Sequence, residues 1–402
     1  MANLLSKYFP AIAAKRLSQV EVQPRISHQH EFNGIGEFRK ILGVEKASFD
    51  TTYIRLNDEE DKVISSIGSM TWYDSRENHP TRSEYRLYYS SNEVIKSSLV
   101  GDLVIVGKLT DNKLAVIIAP QGSTSEKQLL WLFGIAEIGT GFTVKDFSRE
   151  KIDIGFAGRY ILSSLGFETE ETAPDFLDQL IGLFGKTFPS TKIFSDFARS
   201  TVKDVSAIEE PDKTLMIWLE REELLFKTLE SAIVKDKLEV GFGDDGKDVD
   251  EFIRFSLSVQ NRRKARAGFA FENNLALIFK INGLKYNHGA VTERNNKPDF
   301  IFPGSAEYHT PNFDTGLLTM LGVKTTAKDR WRQVLSEAAK IENKHLITLE
   351  PAISRNQTDD MIANNLQLVI PRPLFPTYSV EQQRQLLTVR EFIEMINKKQ
   401  KS

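Results

Sequence analysis

The chain has 402 residues, more than one hydrophobic core usually supports, with 41% apolar and 27% charged residues, so it reads as two globular domains and not as a disordered chain. Its 52 Lys and Arg against 55 Asp and Glu leave a formal charge of -3, so a nucleic-acid site must be a local patch. The absence of cysteine excludes disulfide scaffolds, thiolate zinc sites, cysteine nucleophiles and iron–sulfur clusters.

At the N-terminus, Lys7 and Pro10 interrupt the apolar stretch and Lys15-Arg16 follow it, the reverse of the order in a secretory signal. No apolar run approaches bilayer length, so the expectation is a cytoplasmic protein without a membrane partner. From Thr51 to about Phe156, short runs (Thr52–Leu56, Arg86–Tyr89, Leu103–Val106, Leu114–Ile118, Leu129–Phe133) alternate with turn-prone stretches such as Asn57-Asp58 and Gly122-Ser123. Strands of that length and spacing predict a small β-barrel. The acidic stretch Glu168–Pro174 reads as a linker, giving a first domain over 1–165, a linker over 166–187 and a second domain over 188–402. Helical spacing follows in Phe176–Phe184, Leu215–Lys235, Phe252–Val259, Phe269–Phe279 and Arg330–Ile341. Strands are predicted at Asp299–Phe302, Leu317–Val323, His345–Leu349 and Leu366–Ile370, which makes the second domain α/β.

Gly241–Asp248 fits two phosphate-loop patterns on paper. Asp244 and Asp245 would set carboxylates against a phosphate, and Asp248 replaces the magnesium-binding Ser or Thr, so the segment reads as a turn before a helix. The informative constellation lies further on. Pro298-Asp299 opens one apolar strand and Lys324 ends the next, a spacing that carries an acid and a lysine to one sheet edge. Magnesium takes one or two carboxylates with waters and a substrate phosphate, and a lysine can orient an attacking hydroxide, so this is the outline of a metal-dependent phosphodiesterase. In the PD…(D/E)xK pattern the second acid stands two residues before the lysine, where this chain has Gly322. Glu337, on the border of the buried face of the following helix, can swing into that place, and Glu272, after the basic run Arg262–Arg266, is a further acid. The plainer alternative leaves Asp299 and Lys324 as strand ends, Glu337 as a solvated helix residue, and Lys328-Asp329-Arg330 as a solvated helix start.

The runs Asn261–Gly268, Lys297–Phe300 and Val323–Trp331 strongly resemble the catalytic domain of the EcoRII-type (type IIE) restriction endonucleases, a likeness that extends from about Phe188 onward. The resemblance implies a C-terminal restriction-endonuclease-like PD-(D/E)XK domain with Asp299, Lys324, Glu337 and the associated acid Glu272 as catalytic residues. Asp299 and Glu337 would hold Mg²⁺. It also implies a homodimer that makes Mg²⁺-dependent double-strand cuts in double-stranded DNA at a CC/GG-flanked site of the form CC(A/T)GG, beside a companion cytosine methyltransferase. Lys328, Asp329 and Arg330 would read bases, since donor, acceptor and donor suit adjacent G and C edges, and Arg262 and Arg263 would contact DNA.

In the first domain, Tyr73–Arg76 and Thr81–Arg86 resemble the family's effector domain, a β pseudobarrel like that of plant DNA-binding transcription factors. That likeness places Arg76, Arg82, Glu84, Arg86 and His28 on DNA, with a second site regulating cleavage; Pro80 and Tyr85 stand where the family has lysines. Without it, Arg82, Glu84 and Arg86 are a charged outer strand face, because i, i+2 and i+4 point the same way. The alternatives are a sequence-specific DNA-binding regulator with a degenerate nuclease domain, or a repair-type nuclease with little sequence preference.

Overall fold

The computed structural model describes residues 4–22, 30–33, 35–59, 63–168 and 172–401, so His28 lies outside the described residues. Two compact units emerge, Met1–Thr169 with Pro351–Gln357, and Glu170–Glu350 with Thr358–Ser402.

The first unit is built on strands β1 (Ala11–Arg16), β2 (Glu31–Phe32), β3 (Ala47–Arg55), β4 (Ile64–Asp74), β5 (Tyr85–Tyr89), β6 (Leu103–Lys108), β7 (Leu114–Ala119) and β8 (Thr143–Asp146). They form one eight-stranded sheet in the order β2-β5-β4-β3-β7-β6-β1-β8, antiparallel except for β3 against β7. β6 and β7 read as unbroken apolar runs because both their faces are covered. Val104, Val106, Val116 and Ile118 face a core with Tyr53, Trp72 and Tyr89. Leu103, Ile105, Ala115 and Ile117 face a second core under helices α1 (Thr124–Leu132) and α2 (Gly155–Ser164). Gly107 is required there, since a Cβ on it would meet the Phe9 ring at 2.6 Å. The sheet's two edges approach each other, with the rings of Phe32 in β2 and Phe142 beside β8 6.1 Å apart.

The run Leu129–Phe133, expected as a strand, lies at the end of α1. Ser123 caps that helix by accepting from the Glu126 N–H at 3.0 Å, and Leu129, Leu132 and Phe133 bury one helical face. A short apolar run carries too little periodicity to tell the two structures apart.

In the second unit, α3 (Leu177–Phe184) falls within the stretch expected to be a linker. Leu180 is buried there, in a cluster with Phe194, Leu225 and Phe226, and Phe176 and Phe184 pack against it. The two helices expected around the basic run are one, α6 (Val249–Ile281), antiparallel in sequence order to α5 (Pro211–Val240) through the turn Gly241–Asp248, and capped by the Asp248 carboxylate on the Glu251 N–H at 2.9 Å. α4 (Thr191–Ser200) packs on both. The sheet of this unit has the order β13-β12-β11-β10-β9, from β9 (Asn287–His288), β10 (Phe300–Phe302), β11 (Thr319–Lys324), β12 (Lys344–Thr348) and β13 (Leu366–Val369). β10 runs antiparallel to β11, with Phe300 opposite Leu321, while β11, β12 and β13 are parallel. The helix expected over Arg330–Ile341 is only α7 (Trp331–Leu335), after which Ala338 takes a φ of 48°. No helix among the described residues is long and apolar enough to cross a membrane.

Candidate active site

The antiparallel register of β10 and β11 brings the residue before Phe300 beside the end of β11. Asp299 Oδ2 accepts from the Val323 N–H at 2.6 Å and from Lys324 Nζ at 2.9 Å. Both side chains are mostly shielded, at 17% and 14% exposure, so the pair sits in a medium where charge interactions are stronger than in water.

Gly322 explains where the second acid goes. A Cβ at this position would meet the Val334 methyl carbons at 2.9 and 3.1 Å, so α7 occupies the space that the usual carboxylate would need. Glu337 follows Val334 by less than one turn, and the backbone bends just after it. That bend is held from outside. The Glu293 carboxylate accepts from Tyr308 Oη at 2.6 and 2.8 Å and from the Ala339 N–H at 3.2 Å, and Asn296 Nδ2 donates to the Ser336 carbonyl at 2.8 Å. Lys340 Nζ donates to the Tyr308 carbonyl at 2.8 Å.

Burial pushes the Glu337 carboxyl up to about 7; Lys324 opposes the shift and Asp299 reinforces it, which ties the three groups electrostatically. Its Oε2 is buried and accepts no hydrogen bond. Buried oxygens are nearly always partnered, so an acceptor left open beside an acid and a lysine suits a hard cation. Among the described residues no group of three or more ligating side chains is gathered. Two carboxylates are nonetheless what magnesium commonly takes from a protein.

Glu272, on α6, is bonded through Oε2 to His288 Nε2 of β9 at 2.8 Å. That bond raises the imidazole pKa above its ordinary value against the effect of burial, with Asp299 adding to the rise. Glu272 therefore flanks the Asp299 edge through His288, a partner that nothing in the sequence pattern marked.

Lys328, Asp329 and Arg330 form the turn between Lys324 and α7, each half-buried, and Asp329 Oδ1 accepts no hydrogen bond. The basic run before Glu272 is divided. Arg262 is exposed with its guanidinium over the Phe188 ring at 4.0 Å, whereas Arg263 pairs with the buried Glu230 at 2.5 Å. Arg266 turns inward over Phe194 and Phe226, and burial pushes its pKa down to about 10.

In the first unit, Glu84 receives Arg76 Nε at 2.7 Å and Arg86 Nη2 at 2.7 Å, and Arg86 also pairs with Glu31, to which Tyr73 Oη donates at 2.7 Å. Arg82 is exposed just before β5. Tyr85 is built into the sheet packing, stacked on Trp72 at 4.9 Å with Oη donating to the Val44 carbonyl at 3.2 Å.

A model of the EcoRII C-terminal family matches residues 226–393. The type II restriction enzyme EcoRII of Escherichia coli is 32% identical over 377 residues, 92% of this chain and 85% of that protein. Among solved structures, metal-depleted Ecl18kI in complex with uncleaved, modified DNA is 19% identical, the match covering 57% of this chain and 85% of that one with a TM-score of 0.44. The restriction endonuclease PspGI in complex with substrate DNA is 15% identical, covering 57% and 93%, with a TM-score of 0.40.

Proposed function

The chain belongs to the EcoRII-type restriction endonucleases, type II enzymes that cleave DNA at specific sites, and from that premise we propose that its second unit hydrolyses both strands of a CC(A/T)GG site with Mg²⁺ held by Asp299 and Glu337. The bound cation supplies charge neutralisation and water activation at the scissile phosphate. Lys324, fixed by its bond to Asp299, stabilises the attacking hydroxide, and Glu272 is the further acid at the same edge. Lys328, Asp329 and Arg330 read the outer G and C edges, and of the basic run the exposed Arg262 faces the DNA, while Arg263 contributes beside it from its pair with Glu230. A two-fold symmetric double-strand cut needs two such sets of residues, hence a homodimer. The first unit, read as a pseudobarrel from its approaching sheet edges, binds a second copy of the site through Arg76, Arg82, Glu84 and Arg86 and regulates cleavage. A companion cytosine methyltransferase protects the host's own sites.

The observation that carries this reading is the buried, unbonded oxygen of Glu337, whose carboxyl interacts electrostatically with both Asp299 and Lys324. A degenerate domain has no reason to keep an unsatisfied acceptor, whose burial costs roughly 1–3 kcal/mol. The test is Asp299→Ala. It should lower Mg²⁺-dependent cleavage by about a thousandfold, equivalent to several kcal/mol of lost charge stabilisation, while specific binding persists in Ca²⁺. Cleavage near the wild-type rate would remove Asp299 from the metal site.

A further inference from the structure

Glu350, just beyond β12, is fully buried, and its carboxylate faces the chain that leaves Lys324. Its Oε2 accepts from the Ala327 N–H at 2.6 Å, the Lys328 N–H at 2.9 Å and Thr326 Oγ1 at 3.3 Å. Thr348, paired in the sheet with Lys324, extends the attachment: its Oγ1 donates to the Thr325 carbonyl at 3.4 Å and accepts from the Glu350 N–H at 3.2 Å. Tyr378 Oη in turn donates to the Glu350 carbonyl at 2.5 Å. All of Thr325–Lys328 is thereby tied to the end of one strand, directly before Asp329 and Arg330. Lys328 has a φ of 27°, a conformation an L-residue keeps only when its surroundings hold it there.

We infer that Glu350 is the positioning residue of base recognition, fixing the backbone from which Lys328, Asp329 and Arg330 project and so deciding which base edges they reach. Bidentate contacts tolerate misplacement of only about half an ångström, so loosening this backbone costs discrimination before it costs phosphate contacts. The inference rests on the proposal that those three side chains read DNA.

The experiment compares Glu350→Ala, Glu350→Gln and Arg330→Ala in the full-length protein. It measures kcat/KM on a CC(A/T)GG duplex and on duplexes with one outer G·C pair exchanged, together with Tm and affinity for random duplex. Glu350→Ala should lower the ratio of the two kcat/KM values by about tenfold or more, as Arg330→Ala does, with random-duplex affinity unchanged. Should Glu350→Ala lack a cooperative melt, Glu350→Gln, which keeps the volume and loses the charge, decides with the same expectation. An equal fall on both duplexes, or an unchanged ratio in the folded Glu350 variants while Arg330→Ala lowers it, would overturn the positioning role alone. An unchanged ratio in all three would overturn base reading by this turn, and the inference with it.

Discussion

Removing the Glu337 carboxyl from water disfavours its ionised form by more than Lys324 restores, which is why it is pushed from its ordinary 4.5 to about 7. Between those values the folded, metal-free protein keeps a proton that the unfolded chain releases. Stability from this group is therefore greatest below pH 4.5 and is lost as pH rises through 7. Thermal melts in EDTA should show Glu337→Gln gaining in Tm on the wild type as pH rises from 5 to 8, and losing the Tm increase that Mg²⁺ gives the wild type. Parallel pH profiles for the two proteins would place Glu337 in water and not in the site. Arg330→Ala should reduce discrimination at its base pair by about 1–3 kcal/mol, read from relative cleavage of matched and mismatched duplexes. At this scale the acid–lysine pair was legible because Asp299 immediately precedes one strand and Lys324 ends the next, at a telling separation. Glu350 was not: one glutamate after a strand has no pattern, and its partners are backbone amides more than twenty residues away in sequence. His288 and the Glu293–Tyr308 clamp were hidden for the same reason.

At the scale of the element, the contact between Gly322 and Val334 decides how the site is assembled. Installing the usual acid with Gly322→Asp pushes a side chain into the Val334 methyls and should cost about 1–3 kcal/mol of stability. Combined with Glu337→Ala it should leave cleavage unrestored; a double variant that cuts would show that β11 has room for the acid after all. Trp331, Val334, Ala338 and Ile341 keep a helical spacing, and all four are buried, yet the helix stops at Leu335. The hydrogen bonds that Ala339 N–H and Lys340 N–H donate to Glu293 and Tyr308, and that Asn296 donates to the Ser336 carbonyl, override the local periodicity and end the helix. The same limit applies to Leu129–Phe133, where a capping serine and not the apolar run settles the structure. The strands β6, β7 and β11 were legible because burial on both faces leaves the apolar runs Leu103–Val106, Leu114–Ala119 and Met320–Val323.

For the whole molecule, the position of α3 changes how the two units are to be separated. Truncation before Phe188 would strip Phe176, Leu180 and Phe184 from a core cluster, whereas truncation ahead of Pro174 keeps them. The second truncation should melt cooperatively at a higher temperature than the first. If the N-terminal unit restrains cleavage, that fragment should cut DNA carrying a single site faster than the full chain does, and unchanged single-site rates would mean that the unit exerts no restraint. Any such coupling must be reciprocal in binding energy, so occupancy at one site tightens the other by the same factor. Composition alone suggested two units. The acidic, proline-marked stretch Glu168–Pro174 reads as the start of a linker, and the apolar helix α3 begins at once behind it. A Mg²⁺-dependent cut at a CC/GG-flanked site can be read by incubating the purified protein with unmethylated DNA bearing several CC(A/T)GG sites, in Mg²⁺ or EDTA, and mapping every end. Discrete ends at those sites in Mg²⁺ alone are expected; specific binding without cuts would mean that the nuclease site is inactive, and cuts scattered over the duplex that cleavage is not site-specific.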